Sequence, residues 1–434
     1  MKKIVLTAAA LTAVTLSSCG NRNQDISVKP DGSLDPCTLR FSWWGGDDRH
    51  EAALRALELW SERYPDITVI PEYGGWDGWT EKTAAQLSGG TAPDLMQINF
   101  DWLISMPKGG DAFYDLYSIP ERIDISGYDS EVLSFGEMEG ALRAVTISVS
   151  GRTLFYNSEV YDSLGAEYPE TWDELIALGS SFSGKGAYPL DLDIQSGGTA
   201  WYLAVVYVQQ TTGRQFMTMD GELGFSAEDI KLALDFYRRL EDERVIRTIQ
   251  SRTDEDGNAA LYQSPEFIDG TVAGVLEWGS SVGKYEMVLP EGVLEAGPLL
   301  TDGESTDGWM IKPSLMYAVS AQTQYPDEAA QLLDFFINDP DCAAIMGTTR
   351  GIPASSYAQA ALEEKGLLTG LAMESDELLG GADTIMVSPY MELTRIKEYC
   401  NEAIEKVSYG QTDTGAAAEE LYNSIQGYLE KIRK

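Results

Sequence analysis

The sequence of 434 residues contains little of what most catalytic and metal sites require. It has a single histidine, His50, and four cysteines without a CxxC pair. A zinc site of the usual Cys/His type is therefore nearly excluded, and no metal or cofactor is expected. Basic residues are also scarce, since 31 Lys and Arg stand against 69 Asp and Glu and the net charge is -38. This balance argues against a nucleic-acid partner, which requires a basic face.

Long apolar runs are absent after Leu16, so no later segment approaches the roughly 20 residues of a transmembrane helix. Before it, Lys2 and Lys3 precede the apolar run from Ile4 to Leu16, which leads through two serines to Cys19. This order of parts predicts a secretory signal over residues 1–18. A cysteine at the cleavage position resembles the bacterial lipobox, which implies that Cys19 carries acyl chains that anchor the protein. An ordinary signal peptide with a chance cysteine is the alternative.

The anchor predicts an extracytoplasmic protein attached to the cell membrane of a bacterium, of Gram-positive type, through its lipid alone. Residues 19–37 are polar and rich in Gly, Ser, Asp and Pro, which is typical of a flexible tether. The rest of the chain is globular in composition, with 44% hydrophobic and 23% charged residues over the whole sequence, and is long enough for two large domains. Of the other cysteines, Cys342 and Cys400 are the expected pair if a disulfide forms, although buried free thiols are favoured.

Hydrophobic periodicity predicts alternating strands and helices from Thr38 to Trp102. Strands are expected around Leu39 to Trp43, over 67–73 and over 94–99. Helices are expected from a cap at Asp47 or Asp48 to Pro65, and from a cap at Thr80 to the Gly89-Gly90 stop. Strands that alternate with helices indicate a parallel sheet, which binds ligands beyond the carboxyl ends of its strands. Five of the ten tryptophans fall in the loops at those ends, over 43–46, 73–79 and 99–102.

A second unit follows. Strands are predicted over 145–149 and 153–156, on either side of a crossing at Ser150-Gly151, and a third over 272–276 ends at Trp278. Helices are predicted after caps at Thr171 and Ser226, from Pro326 to Ile337, and twice near the C-terminus.

Five blocks of the sequence carry a resemblance to a known family. They are Phe41-Ser42-Trp43-Trp44-Gly45-Gly46, Glu72-Tyr73-Gly74-Gly75-Trp76-Asp77-Gly78, Gln86-Leu87-Ser88-Gly89-Gly90-Thr91-Ala92-Pro93-Asp94-Leu95-Met96-Gln97, Thr171-Trp172-Asp173-Glu174-Leu175 and Arg350-Gly351-Ile352-Pro353. In this order they resemble the extracellular solute-binding proteins of carbohydrate ABC importers, in the large maltose-binding-like class. Within that class, three blocks are most similar to proteins that bind pectic oligosaccharides such as oligogalacturonides: Trp43-Trp44-Gly45-Gly46, Gly75-Trp76-Asp77-Gly78 and Met96-Gln97.

The resemblance implies an α/β fold of the two-lobed periplasmic-binding-protein type, class II, with a mostly parallel sheet flanked by helices in each lobe. Three crossings are expected to form the hinge, near Ser148 to Gly151, near Asp307 to Met310 and after Pro353. Lobe 1 would comprise residues 38–147 and 309–354, and lobe 2 residues 148–308 and 355–434. The implied partners are an oligosaccharide and the permease subunits of an ABC transporter, which read the closed form of a monomer.

Sugar chemistry selects the candidate site residues. Sugar rings present C–H faces and a rim of hydroxyls, so their sites need aromatic platforms and fixed polar groups on loops. The candidate platforms are Trp43, Trp44, Trp76, Trp102, Trp201, Trp278 and Trp309. The candidate polar contacts are Asp47, His50, Gln97, Asn99, Arg152 and Arg350. Trp43 and Trp44 cannot both face one side of a strand, so one of them is expected in the core. Trp60 and Trp172 are expected to be packing residues.

The ligand can be neutral or acidic. A uronate would need a local cation to hold its carboxylate in so acidic a protein, and Arg152 is the first candidate, ahead of Arg49, His50 and Arg350. Two other functions stay open, a glycan-active enzyme such as a glycoside hydrolase or esterase, and a surface glycan-capture lipoprotein without a permease. Gly279-Ser280-Ser281-Val282-Gly283 spells GxSxG, but this motif needs a histidine after the serine and the one histidine lies far upstream.

Overall fold

Alternation of apolar and polar residues builds the first strand of the sheet, in which Leu39, Phe41 and Trp43 are all fully buried. The structure is a computed structural model that describes residues 36–106, 109–193, 198–257, 259–303 and 307–433. Those residues belong to one compact unit that begins at Pro36. The predicted signal, Cys19 and most of the predicted tether lie outside the described residues.

The described strands are β1 Cys37–Trp44, β2 Ile67–Gly74, β3 Leu95–Ile98, β4 Glu137–Met138, β5 Ala141–Leu142, β6 Val145–Asn157, β7 Gly274–Trp278, β8 Leu294–Ala296, β9 Met310–Val319 and β10 Ile385–Met386. The described helices are α1 Asp47–Arg63, α2 Trp79–Gly89, α3 Trp102–Ser105, α4 Ser130–Ser134, α5 Ser158–Leu164, α6 Trp172–Ser183, α7 Thr199–Thr212, α8 Ala227–Asp242, α9 Ile249–Asp256, α10 Pro265–Ile268, α11 Gly283–Glu286, α12 Pro326–Asn338, α13 Pro340–Met346, α14 Ser356–Glu364, α15 Leu371–Gly380, α16 Thr394–Ser408 and α17 Thr414–Ile432.

The main sheet has the strand order β2-β1-β3-β9-β6-β7. The expected α/β class is confirmed, and β1 is parallel to both β2 and β3 as predicted. The expectation of mostly parallel strands is wrong for the rest of the sheet, because β9 is antiparallel to β3 and β6, and β6 is antiparallel to β7 and β8, although β10 is parallel to β9. The sheet is therefore mixed.

A single long strand takes the place of the two strands predicted around Ser150-Gly151. Strand β6 pairs with β9 through residues 145–151 and with β7 through residues 152–156. Gly151 is needed for a close approach and not for a turn, since a Cβ there would lie 2.8 Å from the Met310 carbonyl oxygen. Because β6 pairs with β9 in its first half and with β7 in its second half, it connects the surfaces that surround the candidate site.

Helix ends follow the predicted chemistry in part. Thr171 and Ser226 form complete capping boxes, with Glu174 and Asp229 respectively, and Gly90 ends α2 in the left-handed region. The caps predicted at Asp47 or Asp48 and at Thr80 are wrong, because Gly46 and Gly78 occupy those positions. The two aspartates lie instead in the first turn of α1, where their charge favours the helix N-terminus.

Two of the hydrophobic clusters among the described residues contain six buried tryptophans. One surrounds β3 and the tryptophans of the neighbouring loops, among them Trp44, Trp79 and Trp102. The other packs α7, α8, α16 and α17 together and includes Trp172, Trp201 and Trp309. Helix α7 was not predicted, because ten of its 14 residues are buried and a helix buried all round gives no amphipathic signal. Cys342 and Cys400 are free and buried here, so they do not pair; burial raises the pKa of both thiols.

Candidate functional site

A cavity of about 740 Å³ lies beyond the carboxyl ends of β1, β3 and β7 and is called the cleft below. Its volume falls within the usual range of small-molecule sites, roughly 300–1,000 Å³. Aromatic side chains on its wall are Trp44, Trp76, Tyr262, Trp278 and Tyr285. Hydroxyl and amide side chains are Asn99, Thr199, Ser280, Ser281, Ser314, Thr394 and Asn401. The charged residues are Arg49, Arg152, Lys284, Lys312 and Lys397, with Asp193, Glu277, Glu392 and Glu398.

Three tryptophans form the first aromatic platform. The ring of Trp76 is 48% exposed, whereas Trp44 is 6% and Trp102 is 1% exposed. Trp44 contacts both of the others, with ring centroids 5.1 Å from Trp76 and 5.2 Å from Trp102, and Trp76 is stacked on Trp102 at 6.3 Å. The two buried rings thus support an exposed one. This geometry leaves the indole of Trp76 open for stacking against an apolar ligand face.

The second platform is Trp278, whose ring is contacted by two cations. The guanidinium carbon of Arg152 and the Nζ of Lys312 are each 4.7 Å from its ring centroid. Arg152 also lies 5.1 Å from the ring of Tyr202, which meets Trp278 edge to face. Strand register explains the arrangement, because Arg152 on β6 pairs directly with Trp278 on β7. Cation–π contacts at a desolvated site are worth about 2 kcal/mol, which helps to fix both cations on the cleft wall.

Glu392 links two of the basic residues of the cleft. It accepts a hydrogen bond from Lys312 Nζ at 2.5 Å and lies 3.7 Å from Lys397 Nζ. Burial alone would raise the pKa of Glu392, but Lys312 and Lys397 lower it to about 2. Burial also lowers the pKa of Lys312, against the effect of Glu392. A third lysine, Lys284, forms an ion pair with Glu277 at 2.8 Å.

Six of the predicted contacts line the cleft, namely Trp44, Arg49, Trp76, Asn99, Arg152 and Trp278. Asn99 Nδ2 donates to Asp101 Oδ1 at 2.9 Å, which fixes its amide at the cleft wall. The fold brings these six residues, which come from β1, β6, β7 and neighbouring loops and helices, to the wall of one cavity.

The other predicted aromatic contacts are placed in the core, away from the cleft wall. Trp43 is fully buried and stacks on Tyr73 at 5.2 Å, so Trp44 is the member of the pair that reaches the cleft. Trp102 supports the first platform from below. Trp201 is 4% exposed and contacts Phe216, and Trp309 is fully buried with its Nε1 donating to the Leu300 carbonyl. These rings fill the interior and leave no face for a ligand.

The remaining predicted polar contacts also lie off the cleft wall. Asp47 is exposed in the first turn of α1. His50 accepts a hydrogen bond from Trp43 Nε1 through Nδ1 at 3.2 Å, so it packs against a core ring. Gln97 and Arg350 are buried and bonded to each other, with Arg350 Nε donating to Gln97 Oε1 at 3.0 Å.

Sequence reasoning missed the lysines of the cleft. Lys284, Lys312 and Lys397 come from three distant segments, and no motif marks them. Their scarcity was the available signal, because each basic residue in a chain with 69 acidic ones is a candidate for a special position. Among the described residues, no group of three or more His, Cys, Asp and Glu has a geometry that could hold a metal ion, and no helix there is both long and apolar enough to cross a membrane.

The family model for bacterial extracellular solute-binding proteins matches residues 46–341. A periplasmic solute-binding protein of Pectobacterium atrosepticum is similar with a TM-score of 0.86 and 30% identity, over 92% of this chain and 100% of that one. A periplasmic oligogalacturonide-binding protein of Yersinia enterocolitica, solved with saturated digalacturonic acid, is similar with a TM-score of 0.82, 30% identity and the same coverage. Two designed esterases share the fold at 29% identity over 92% of this chain, with TM-scores of 0.83 and 0.84.

Curated relatives match over shorter stretches. A protein of Rhizobium meliloti described as a probable sugar-binding periplasmic protein is 27% identical over 48% of this chain. The chain spans about half the length of the curated relatives it matches, for example 47% of the R. meliloti protein and 44% of a binding protein of Brucella abortus. The two-lobed fold is shared with the solved structures described above.

Proposed function

This chain belongs to the family of bacterial extracellular solute-binding proteins, and we propose that it captures an acidic oligosaccharide in the cleft and delivers it to the permease of an ABC transporter. The ligand class is a short chain of uronate sugars, such as an oligogalacturonide. The proposal includes a lipid anchor at Cys19 on the membrane of a Gram-positive bacterium.

The charge of the cleft carries this proposal. The whole chain has 31 basic and 69 acidic residues, yet the described cleft wall has five basic and four acidic ones. One sixth of all basic residues thus gather at one cavity of a protein whose net charge is -38. A neutral sugar accepts hydrogen bonds from such residues but brings no charge to neutralise them, whereas a carboxylate forms charge-assisted hydrogen bonds with Arg and Lys in a partly desolvated site. The net charge repels an anion at long range, but this repulsion is screened within about 8 Å at physiological salt.

The aromatic platforms support a sugar as the carrier of the carboxylate. Trp76 and Trp278 offer ring faces, and the hydroxyl and amide groups between them offer hydrogen bonds to sugar hydroxyls. The similarity to a protein solved with digalacturonic acid points to the same ligand class. A small aliphatic acid would need the cations but not the two separate platforms.

An enzyme is less well supported than a binding protein, although the esterase designs share the fold. Ser281, the central serine of the GxSxG sequence, does lie on the cleft wall. His50, the one histidine of the sequence, packs against Trp43 and does not line the cleft. A serine nucleophile of the usual kind therefore has no histidine base beside it. Release of monosaccharide or alcohol during incubation with a galacturonide or an ester would contradict the binding function.

Calorimetry with a sugar panel tests the proposal directly. We expect stoichiometric binding of saturated digalacturonate and trigalacturonate without product formation, and much weaker binding of neutral di- and trisaccharides. Bound ligand should also raise the melting temperature, since saturation at 100 times Kd stabilises the native state by about 2.7 kcal/mol. A panel in which only neutral glycans bind would overturn the uronate assignment while leaving the family assignment intact.

Removing one platform should weaken binding without unfolding the protein. Trp76→Ala and Trp278→Ala should each weaken the binding free energy for digalacturonate by roughly 1–3 kcal/mol, the range for losing one aromatic stacking partner. Trp172→Phe is the matched control, because Trp172 is 4% exposed in the second cluster and its Nε1 bonds Gln210 away from the cleft. Unchanged affinity in Trp76→Ala would remove its loop from the site.

The anchor is tested separately from the ligand. Cys19→Ala should abolish incorporation of radioactive palmitate and leave the protein soluble or uncleaved, because the acylated thiol is lost. The same protein should still bind its ligand, since the described fold begins at Pro36. Undiminished labelling of the variant would overturn the lipobox assignment.

Delivery to a permease and closure of two lobes complete the proposal. The lobe boundaries stay those predicted, with residues 38–147 and 309–354 in one lobe and residues 148–308 and 355–434 in the other. The long strand β6 is suited to a hinge because it is continuous through the predicted boundary between residues 147 and 148. Uptake of labelled trigalacturonate that continues after deletion of this protein, or that needs no permease, would favour a glycan-capture role instead.

A further inference from the structure

A buried arginine without an acidic partner lies directly behind the cleft wall. Arg350 is 2% exposed, and its Nε donates to Gln97. Its two terminal nitrogens, Nη1 and Nη2, are buried and have no hydrogen-bond acceptor among the described residues. Two hydrogen bonds connect this arginine to the cleft wall. Its partner Gln97 donates through Nε2 to the carbonyl of Trp44 at 3.1 Å, and Ser314 Oγ donates to the Arg350 carbonyl at 3.3 Å; Trp44 and Ser314 both line the cleft.

A second arginine adjoins it on the wall itself. Arg49 lines the cleft, and its Nε donates to the Thr349 carbonyl at 2.8 Å, next to Arg350 in the chain. Burial lowers the pKa of Arg49, Arg350 lowers it further, and the nearby Asp48 raises it. The hydroxyl of Tyr317 is buried and has no hydrogen-bond partner among the described residues. Burial raises the pKa of Tyr317, and the nearby Arg350 and Arg49 lower it. Neither arginine forms a salt bridge with an acidic side chain of the described residues.

Two guanidinium groups at one buried place repel each other and lose hydration, so the arrangement is costly for the ligand-free protein. Two other buried arginines of this fold have acidic partners: Arg247 is fully buried with Asp191 and Asp256 within 2.7 Å, and Arg122 lies 3.3 Å from Asp327. The contrast indicates that the counter-charge for Arg49 and Arg350 comes from outside the protein. A carboxylate matches guanidinium donors in geometry and charge, and Tyr317 adds a hydroxyl donor.

We propose that Arg49 and Arg350 form a carboxylate subsite at this end of the cleft, in which Arg49 contacts one uronate group of the ligand and Arg350, behind it, supplies the second guanidinium. The inference rests on the proposed function and adds a location to it. The two pairs of cations then have different roles. Arg152 and Lys312 contact the Trp278 platform, whereas Arg49 and Arg350 bind a different carboxylate of the same oligosaccharide.

The test is a cycle between protein charge and ligand charge. Calorimetry of the full chain compares saturated digalacturonate with its dimethyl ester, which keeps the ring and hydroxyls but removes both carboxylate charges. Arg49→Gln should weaken digalacturonate binding about 10- to 100-fold, the loss expected for a hydrogen bond to a charged group, and Arg350→Gln, which removes the charge behind it, should weaken binding by a smaller factor. Binding of the ester should change by less than about 3-fold, since it lacks the charge that the arginines would hold. Arg55→Gln, which removes an exposed charge of the same helix α1, is the control and should change neither affinity.

The outcomes separate this inference from the function it rests on. If the unaltered protein binds no galacturonide, the proposed function fails. If it binds digalacturonate and both variants bind it equally well, only the subsite is overturned. Equal losses for the acid and the ester would also overturn it, because they would show a structural role. Melting curves of the ligand-free variants check folding, and Arg49→Gln, on the wall, decides the matter if Arg350→Gln does not fold.

Discussion

Trp60→Ala is expected to lower the free energy of unfolding by about 3–5 kcal/mol, the cost of removing a buried tryptophan and leaving a cavity. Trp60 is 1% exposed, stacks on Tyr64 at 4.0 Å and meets Phe335 edge to face at 5.3 Å. It therefore joins α1 to α12, and no neighbour can fill its volume without moving a helix. Urea denaturation followed by circular dichroism at neutral pH measures the loss, and affinity for digalacturonate at low denaturant should stay within about 2-fold, because Trp60 does not line the cleft.

Trp76→Ala is the matched opposite of this variant. Its ring is 48% exposed, so its loss should change the free energy of unfolding by less than about 1 kcal/mol while weakening the ligand. The pair distinguishes a packing tryptophan from a binding one by two independent measurements. A Trp60→Ala protein as stable as the original would mean that α1 and α12 do not pack as described.

Sequence reasoning separated these two tryptophans because their local patterns differ. Trp60 falls on the apolar face of an amphipathic helix, where period and burial agree. Trp76 lies among glycines in a loop beyond a strand, where a large ring is not needed to fill the core. The same reasoning could not rank Trp43 against Trp44. Alternation along β1 puts them on opposite faces, but which face meets the cleft depends on β2, β3 and the helices that cover the sheet.

The basic residues of the cleft were harder to predict, because their contacts are not local. Lys312 on β9 and Lys397 on α16 meet only through Glu392, and Arg152 meets Trp278 only through the register of β6 with β7. A pattern of apolar residues specifies elements, but the approach of two distant charges follows from how the elements pack. For the same reason the sequence predicts two strands on either side of Ser150-Gly151, whereas the structure has one continuous strand in which Gly151 allows a close approach.

Glu392→Gln should destabilise the protein by about 3–5 kcal/mol at neutral pH, because it leaves the buried ammonium of Lys312 without its carboxylate. The side chains of Lys312 and Glu392 are only 12% and 14% exposed, and the bond between them is 2.5 Å long. Lys312, the partner of Glu392, lies over Trp278, so the variant should also change the affinity for digalacturonate. Urea denaturation and calorimetry on the same sample measure both effects.

The contribution of Glu392 to the free energy of unfolding should depend on pH. The pKa of Glu392 is lowered to about 2 in the folded protein, from about 4.3 in an unfolded chain. Its stabilising effect is therefore complete above about pH 4.3 and is lost as the pH falls through about 2. The difference in unfolding free energy between the original protein and Glu392→Gln should be constant from pH 7 to pH 5 and should shrink below pH 4. A difference that stays constant down to pH 2.5 would show that Glu392 acts through its shape and not through its charge.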